Sequence, residues 1–193
     1  MVMSSIERSE ILPLGEYEAI RPHFRARVME AKKPRRIRLG EHLSGVFENR
    51  DSALLQIQEM LRTERITSAD GIAHEIETYN DLLPKAGQLS LTVFIEIADK
   101  DQREKMLVEY AGIDDAIFLE VDGERLHVRG PTPELFKGRT TAVHYLKVDV
   151  SPVVAEKIRA GGVAAAVIID HPKYQARAEL GAASLKSLAG DLG

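Results

Sequence analysis

The stretch LTVFIEIADKDQREKMLVEYAGIDDAIFLE, residues 91–120, and its counterpart VHYLKVDVSPVVAEKIRAGGVAAAVIID, residues 143–170, decide the fold. Each reads as a strand, a capped helix, a glycine stop and a second strand. In the first, residues 89–97 alternate with the two-residue period of a strand. Asp99 and Gln102 then cap a helix that runs to about Tyr110 and stops at Gly112. Residues 116–121 form the returning strand, and Asp122-Gly123 is a two-residue hairpin signal that brings back residues 125–129. In the second, residues 141–150 are a strand. Ser151 and Pro152 supply a cap and a first-turn proline. Gly161-Gly162 ends the helix, and residues 163–169 read as a buried strand. Two β-α-β units in succession predict a ferredoxin-like plan, a mixed or antiparallel sheet with helices packed on one face. Residues 130–138 read as a loop, and residues 173–188 as a final Ala-rich helix.

Working outward toward the N-terminus, residues 1–14 read as an uncommitted lead-in. A helix covers residues 16–33, with Phe24 and Val28 one turn apart, and Pro34 ends it. Residues 35–39 and 46–48 are short strands, turned through Gly40 and Ser44-Gly45. A helix over residues 52–65, with Asp51 as N-cap, puts Ala53, Leu54, Ile57, Met60 and Leu61 on one face. A second helix opens with the Thr67 and Asp70 pair and runs to Leu83, before Pro84. Its apolar side is Ala69, Ile72, Ile76, Tyr79 and Leu83. Two amphipathic helices with a short connection pack antiparallel. The chain is therefore expected to be α+β. Residues 1–86 form a helical region with a short β-hairpin and residues 87–193 a ferredoxin-like region, the two either separate or one compact unit.

The chain has 193 residues, 44% of them apolar, which suffices for a substantial core. Its 29% charged residues leave a net charge of −4. No cysteine is present, which excludes disulfides, a thiolate nucleophile, Cys-ligated iron–sulfur clusters and Cys zinc sites, and fits a reducing cytoplasm. Residues 1–9 carry charges and lack an apolar signal core. The longest apolar run, residues 163–169, is far too short to span a bilayer. A cytoplasmic protein without a membrane partner and without a bound cofactor is the expectation.

Charge is distributed unevenly. Eight basic residues, Arg21, Arg25, Arg27, Lys32, Lys33, Arg35, Arg36 and Arg38, are opposed over that stretch by Glu30 alone. Such a run could meet an anionic ligand, nucleic acid or an acidic partner. No stacking aromatics accompany it, which argues against nucleic acid. The plainer reading is a solvated helix face paired with acids elsewhere in the chain. Glu64 falls seven residues after Ile57, on the apolar face of its helix, and a core-facing carboxylate needs a partner or a proton. Bundle metal sites use Glu-x-x-His, which is absent; His74 and Glu77 give the reverse order on the side facing away from Ile72 and Ile76. No metal site is therefore expected, with Glu64, His74 and Glu77 the weak candidates. The six histidines show no ligand spacing, and the phosphate-loop, dinucleotide and nucleophile-elbow motifs are absent. Leu55 falls away from the apolar face of its helix, the pattern of a second contact surface and so of a homodimer.

Four segments stand out together: RRIRLG at residues 35–40, VFENRD at 46–51, QIQEMLR at 56–62 and ETYN at 77–80. With the later IEI at 95–97, this set resembles the uncharacterised prokaryotic domain-of-unknown-function family 3501, over nearly the whole chain. The resemblance carries no established activity. Genes of that family often lie near those for rubrerythrin and an iron–sulfur oxidoreductase, which implies a role beside a redox or peroxide-defence system and a protein partner from it. It marks Glu48, Asn49, Arg50, Gln56, Glu59, Tyr79 and Asn80 as the candidate polar site. Glu59 is notable because the helical wheel sets it opposite the apolar face; Asn49 and Asn80 lie at helix ends, where asparagine caps or turns.

Three readings follow. The leading one is a non-catalytic interaction or accessory protein linked to that redox system. The alternatives are a metalloprotein or enzyme using helix carboxylates, and a nucleic-acid or anionic-ligand binder using the basic stretch.

Overall fold

A computed structural model describes residues 5–130 and 138–193. Most of the expected loop over residues 130–138, and the first four residues of the lead-in, lie outside the described residues.

The N-terminal part is a helical layer. Helix α1 (Leu14–Lys32) is followed by a 3-10 turn (Lys33–Arg35). Helices α2 (Arg50–Thr63) and α3 (Ala69–Asn80) pack on each other. The cap of α2 is Asn49, not Asp51: its side chain accepts from the Ser52 amide at 3.0 Å while its own amide donates to Ser52 Oγ at 2.9 Å. Ser68 caps α3 by accepting from Gly71 N. Ile57, Leu61 and Ile72 form a core with Ile6 and Ile11, so the lead-in is anchored rather than uncommitted. Leu55 is buried within the chain and is not the exposed second surface expected of it.

Among the described residues, eight strands form two four-stranded sheets. The first runs β1 (Arg36–Leu39), β2 (Leu43–Glu48), β3 (Gln88–Ile95), β6 (Val143–Asp149). The second runs β5 (Glu124–His127), β4 (Ile117–Val121), β7 (Ala165–His171), β8 (Tyr174–Glu179). Every pairing is antiparallel. The architecture is α+β with N-terminal helices, but the ferredoxin-like plan is not what the strands build. Each expected unit exists, as β3–α4–β4 with α4 (Lys100–Glu109) and β6–α5–β7 with α5 (Pro152–Ala160). Each crosses from the first sheet to the second instead of returning to its own. Residues 173–188 are also not one helix: β8 comes first, then α6 (Ala182–Ala189). Alternation of Tyr174, Ala176 and Ala178 against Gln175, Arg177 and Glu179 is a strand period that the alanine content masks.

The inner faces of both sheets share one core, including Leu91 and Leu146 from the first and Leu119 and Val167 from the second. Helices α4, α5 and α6 insert Leu107, Ile158 and Leu188 into that same core, whereas α2 and α3 lie over the Thr92 and Tyr145 side of the first sheet, so the helices do not all lie on one face. At one seam Arg129 and Lys147 exchange two backbone hydrogen bonds of 2.8 Å. At the other, the Tyr174 hydroxyl on β8 donates to Leu39 O at 2.6 Å and accepts from His42 N at 3.0 Å. Residue 87, the expected division, falls between β2 and β3, which pair over six positions.

Candidate functional site

Strand alternation decides which residues leave the core. In β3, Leu89, Leu91 and Val93 point inward, so Ser90, Thr92 and Phe94 face the helical layer. Register carries the same face across the sheet: Glu48 pairs Ser90, Ser90 pairs Lys147, and Thr92 pairs Tyr145. The helices cover this face only in part. Beneath α2 and α3 lies a cavity of about 60 Å³ lined by Glu48, Gln56, Tyr79, Thr92 and Tyr145, among others. Beside it lies a groove of about 580 Å³, and Leu82 and Tyr145 line both.

One wall of the groove is the turn that ends α3. Leu82 N and Leu83 N donate back to Tyr79 O and Asn80 O at 3.1 Å, Pro84 prevents a further turn, and Gln88 Oε1 accepts from Lys85 N at 3.2 Å. This brings Leu82, Leu83, Pro84 and Lys85 to the groove, opposite Ser90, Tyr145, Lys147 and Arg129.

The polar groups here are underused. Among the described residues, the Lys85 and Lys147 ammonium groups form no ion pair or hydrogen bond, and the Ser90, Thr92, Tyr79 and Tyr145 hydroxyls form no hydrogen bond. Burial, then the nearby Lys85 charge, pull the Lys147 pKa down, with Asp81 opposing. Burial, then the neighbouring Tyr145, push the Tyr79 phenol up. Arg129 donates its Nε to His127 Nδ1 at 2.8 Å. At the inner end, Glu48 accepts from Ser52 Oγ and lies 3.7 Å from Lys32 Nζ, so its charge is offset within the fold.

The candidate polar residues divide. Glu48, Gln56 and Tyr79 meet in the small cavity. Asn80 lines the groove, but its amide is engaged with the Ile6 backbone, accepting at 2.8 Å and donating at 3.0 Å. Asn49 caps α2, and Arg50 pairs with Glu10. Glu59 accepts from Tyr17 Oη at 2.6 Å and from Arg21 Nε and Nη2 at 2.7 and 2.9 Å, which fastens α2 to α1. Those bonds hold the Glu59 carboxyl down at about 2.

The basic stretch is dispersed over α1, the 3-10 turn and β1. Arg21 pairs with Glu59, Arg27 with Asp51, Lys32 with Glu48, Lys33 with Glu30, Arg35 with Asp191 and Arg38 with Glu96. Arg25 and Arg36 have no ion pair among the described residues. Glu64 is exposed at the C-cap of α2, not core-facing, because the helix ends one residue earlier; His74 and Glu77 are exposed on α3. Among the described residues, no three His, Asp or Glu side chains are placed to hold a metal ion. No helix among them is long and apolar enough to cross a membrane.

Lys85, Ser90, Thr92, Tyr145 and Lys147 escaped the sequence reading. The alternation of β3 already places Ser90 and Thr92 away from the core. No local signal indicates that β6 will lie beside them or that the 81–87 turn will fold over them.

A family model described as "Protein of unknown function (DUF3501)" matches residues 5–192. Among solved structures, the chain is similar to a crystal structure from Burkholderia pseudomallei described as a novel protein of unknown function. The two share 33% sequence identity with a TM-score of 0.91, over 98% of this chain and 100% of that one. No curated protein matches the sequence.

Proposed function

The chain belongs to the DUF3501 family of proteins of unknown function, and from that premise we propose that it acts by binding, as a non-catalytic accessory protein whose working surface is the groove between the 81–87 turn and the first sheet. One observation carries this reading. Lys85 and Lys147 line that groove with the Ser90 and Tyr145 hydroxyls, none of these side chains having a protein partner among the described residues, while most of the basic stretch is spent on ion pairs that hold the fold together. Lys147 and Ser90 are the more shielded of these, and a partly desolvated polar group gains most from a ligand that hydrogen-bonds to it. The system it serves is a redox one, with rubrerythrin or an iron–sulfur oxidoreductase as partner, following the family resemblance. The chain has no cysteine, so a Cys-ligated cluster would be the partner's.

The test is recovery from a native extract with the full chain as bait, beside a Lys85→Glu/Lys147→Glu variant of matched thermal stability. Wild type is expected to recover a rubrerythrin or an iron–sulfur oxidoreductase, and the variant to lose it. Recovery of neither redox protein by wild type, or equal recovery by both baits, counts against the proposal.

A further inference from the structure

The chemistry of the groove narrows what it takes. Its described lining contains three cations, Lys85, Arg129 and Lys147, against one carboxylate, Asp81. That excess suits a doubly charged anion. Lysine supplies mobile point charges with three donors each and is a common phosphate ligand, so a phosphate dianion fits the pair. Ser90 lies between Lys147 and Glu48 in the sheet register, and its hydroxyl makes no hydrogen bond among the described residues.

The lining also offers an apolar surface, Leu82, Leu83, Pro84 and Leu146. Tyr145 stands 50% exposed at the junction of groove and cavity, an aromatic side chain of the kind that packs on a ligand body. A volume of about 580 Å³ is in the range of small-molecule sites and far exceeds a bare phosphate. The charge of Glu48 at the inner end is countered by Lys32, so it does not repel an anion held nearer Lys147.

We infer that the groove binds a small organic phosphate monoester, its phosphate between Lys85 and Lys147 with Ser90 donating, its apolar body against Leu82, Pro84 and the Tyr145 ring. This rests on the binding reading above and adds the ligand class to it. The lowered pKa of Lys147 agrees: burial first, then the charge of the exposed Lys85, disfavours its ammonium form, and a dianion beside it would raise the pKa.

The experiment is calorimetric titration of the full chain at low salt with four probes: phenyl phosphate, inorganic phosphate, phenol and phthalate. Phenyl phosphate is expected to bind at least tenfold more tightly than each of the others. Lys147→Met and Lys85→Met should each weaken it tenfold or more at unchanged melting temperature, and Lys105→Met on α4 should not. Lys85 lies in a surface turn, so its variant remains informative if the Lys147 variant folds poorly. Absence of saturable binding by phenyl phosphate, equal binding of phthalate, or indifference to both groove substitutions overturns the assignment. The two proposals fail separately. If phenyl phosphate does not bind but Lys85→Glu/Lys147→Glu still abolishes recovery of the redox partner, the ligand class alone falls. If phenyl phosphate binds as expected and no redox protein is recovered, the accessory role alone falls.

Discussion

Arg35 and Asp191, 156 residues apart in the chain, form a bidentate ion pair in the interior: Nη1 to Oδ2 at 2.7 Å and Nη2 to Oδ1 at 2.8 Å. Both side chains are buried, and Nη2 also donates to Ser187 O at 2.9 Å. The pair ties the turn after α1 to the end of α6. Removing one partner strands a buried charge. Asp191→Ala is expected to cost about 3–5 kcal/mol in a urea unfolding curve, and Arg35→Met/Asp191→Leu less than either single change. A double variant as unstable as the sum of the singles would contradict this account.

Glu59 gives an acid-limb prediction. Its carboxyl titrates at about 2 in the folded chain against an ordinary 4.5, chiefly because Arg21 hydrogen-bonds its charged form. A lowered carboxylate pKa stabilises above the unfolded value, so this contribution is complete above pH 4.5 and is lost as pH falls toward 2. The shift corresponds to at most about 3 kcal/mol, and less in practice because the site is partly solvated. Glu59→Gln should lower stability at pH 7 and flatten its dependence between pH 5 and 2. An unchanged acid limb in that variant would refute the assignment.

His144 acts in a higher window. It lies on the inward side of β6, its Nε2 3.0 Å from Thr140 Oγ1, and burial holds its pKa below the ordinary 6.5. The unfolded chain therefore takes up this proton first. The contribution is complete above pH 6.5 and declines as pH falls below it. His144→Gln should remove part of the slope of stability against pH between 6.5 and 5. The check is a series of melts at constant ionic strength.

Gly40 turns β1 into β2 with φ +74°, and a Cβ there would lie 2.5 Å from the Tyr174 hydroxyl oxygen. Gly40→Ala should therefore cost more than the ~1–2 kcal/mol of a left-handed alanine alone. In a Tyr174→Phe background the added cost should shrink, because the obstructing oxygen is gone. An equal cost in both backgrounds would show that close approach is not the cause.

Much of the local layout was legible in the sequence. Asp99 accepts from Gln102 N and Ser151 from Val154 N, as their spacing to the first helical turn requires. Asp122 and Gly123 both adopt positive φ, the geometry a two-residue hairpin of that type needs. The sheet pairing was not legible. The alternation of β3 and β4 says that each has one inner face, and that is equally true of neighbours in one sheet and of strands in two facing sheets. The 174–179 strand was obscured for the opposite reason: alanine favours helix, and pairing with β7 overrides that preference. The candidate polar residues were legible one by one, but their grouping in space was not. Glu48, Gln56 and Tyr79 do meet, whereas Asn49, Arg50 and Glu59 are fasteners of the helical layer.

The amino-acid order by itself determined many of the places where elements begin, turn and stop, since caps, glycines and prolines act on backbone groups within a few residues; the 174–179 strand is the exception. It also determined which side of each element is apolar. Only the tertiary structure decided which charges remain available for a ligand. Arg35 is neutralised by a residue at the far end of the chain and Lys32 by one on β2, while Lys85 and Lys147 line one groove with no acid paired to either among the described residues. Pairing of charges depends on distance in space, which local sequence patterns do not encode.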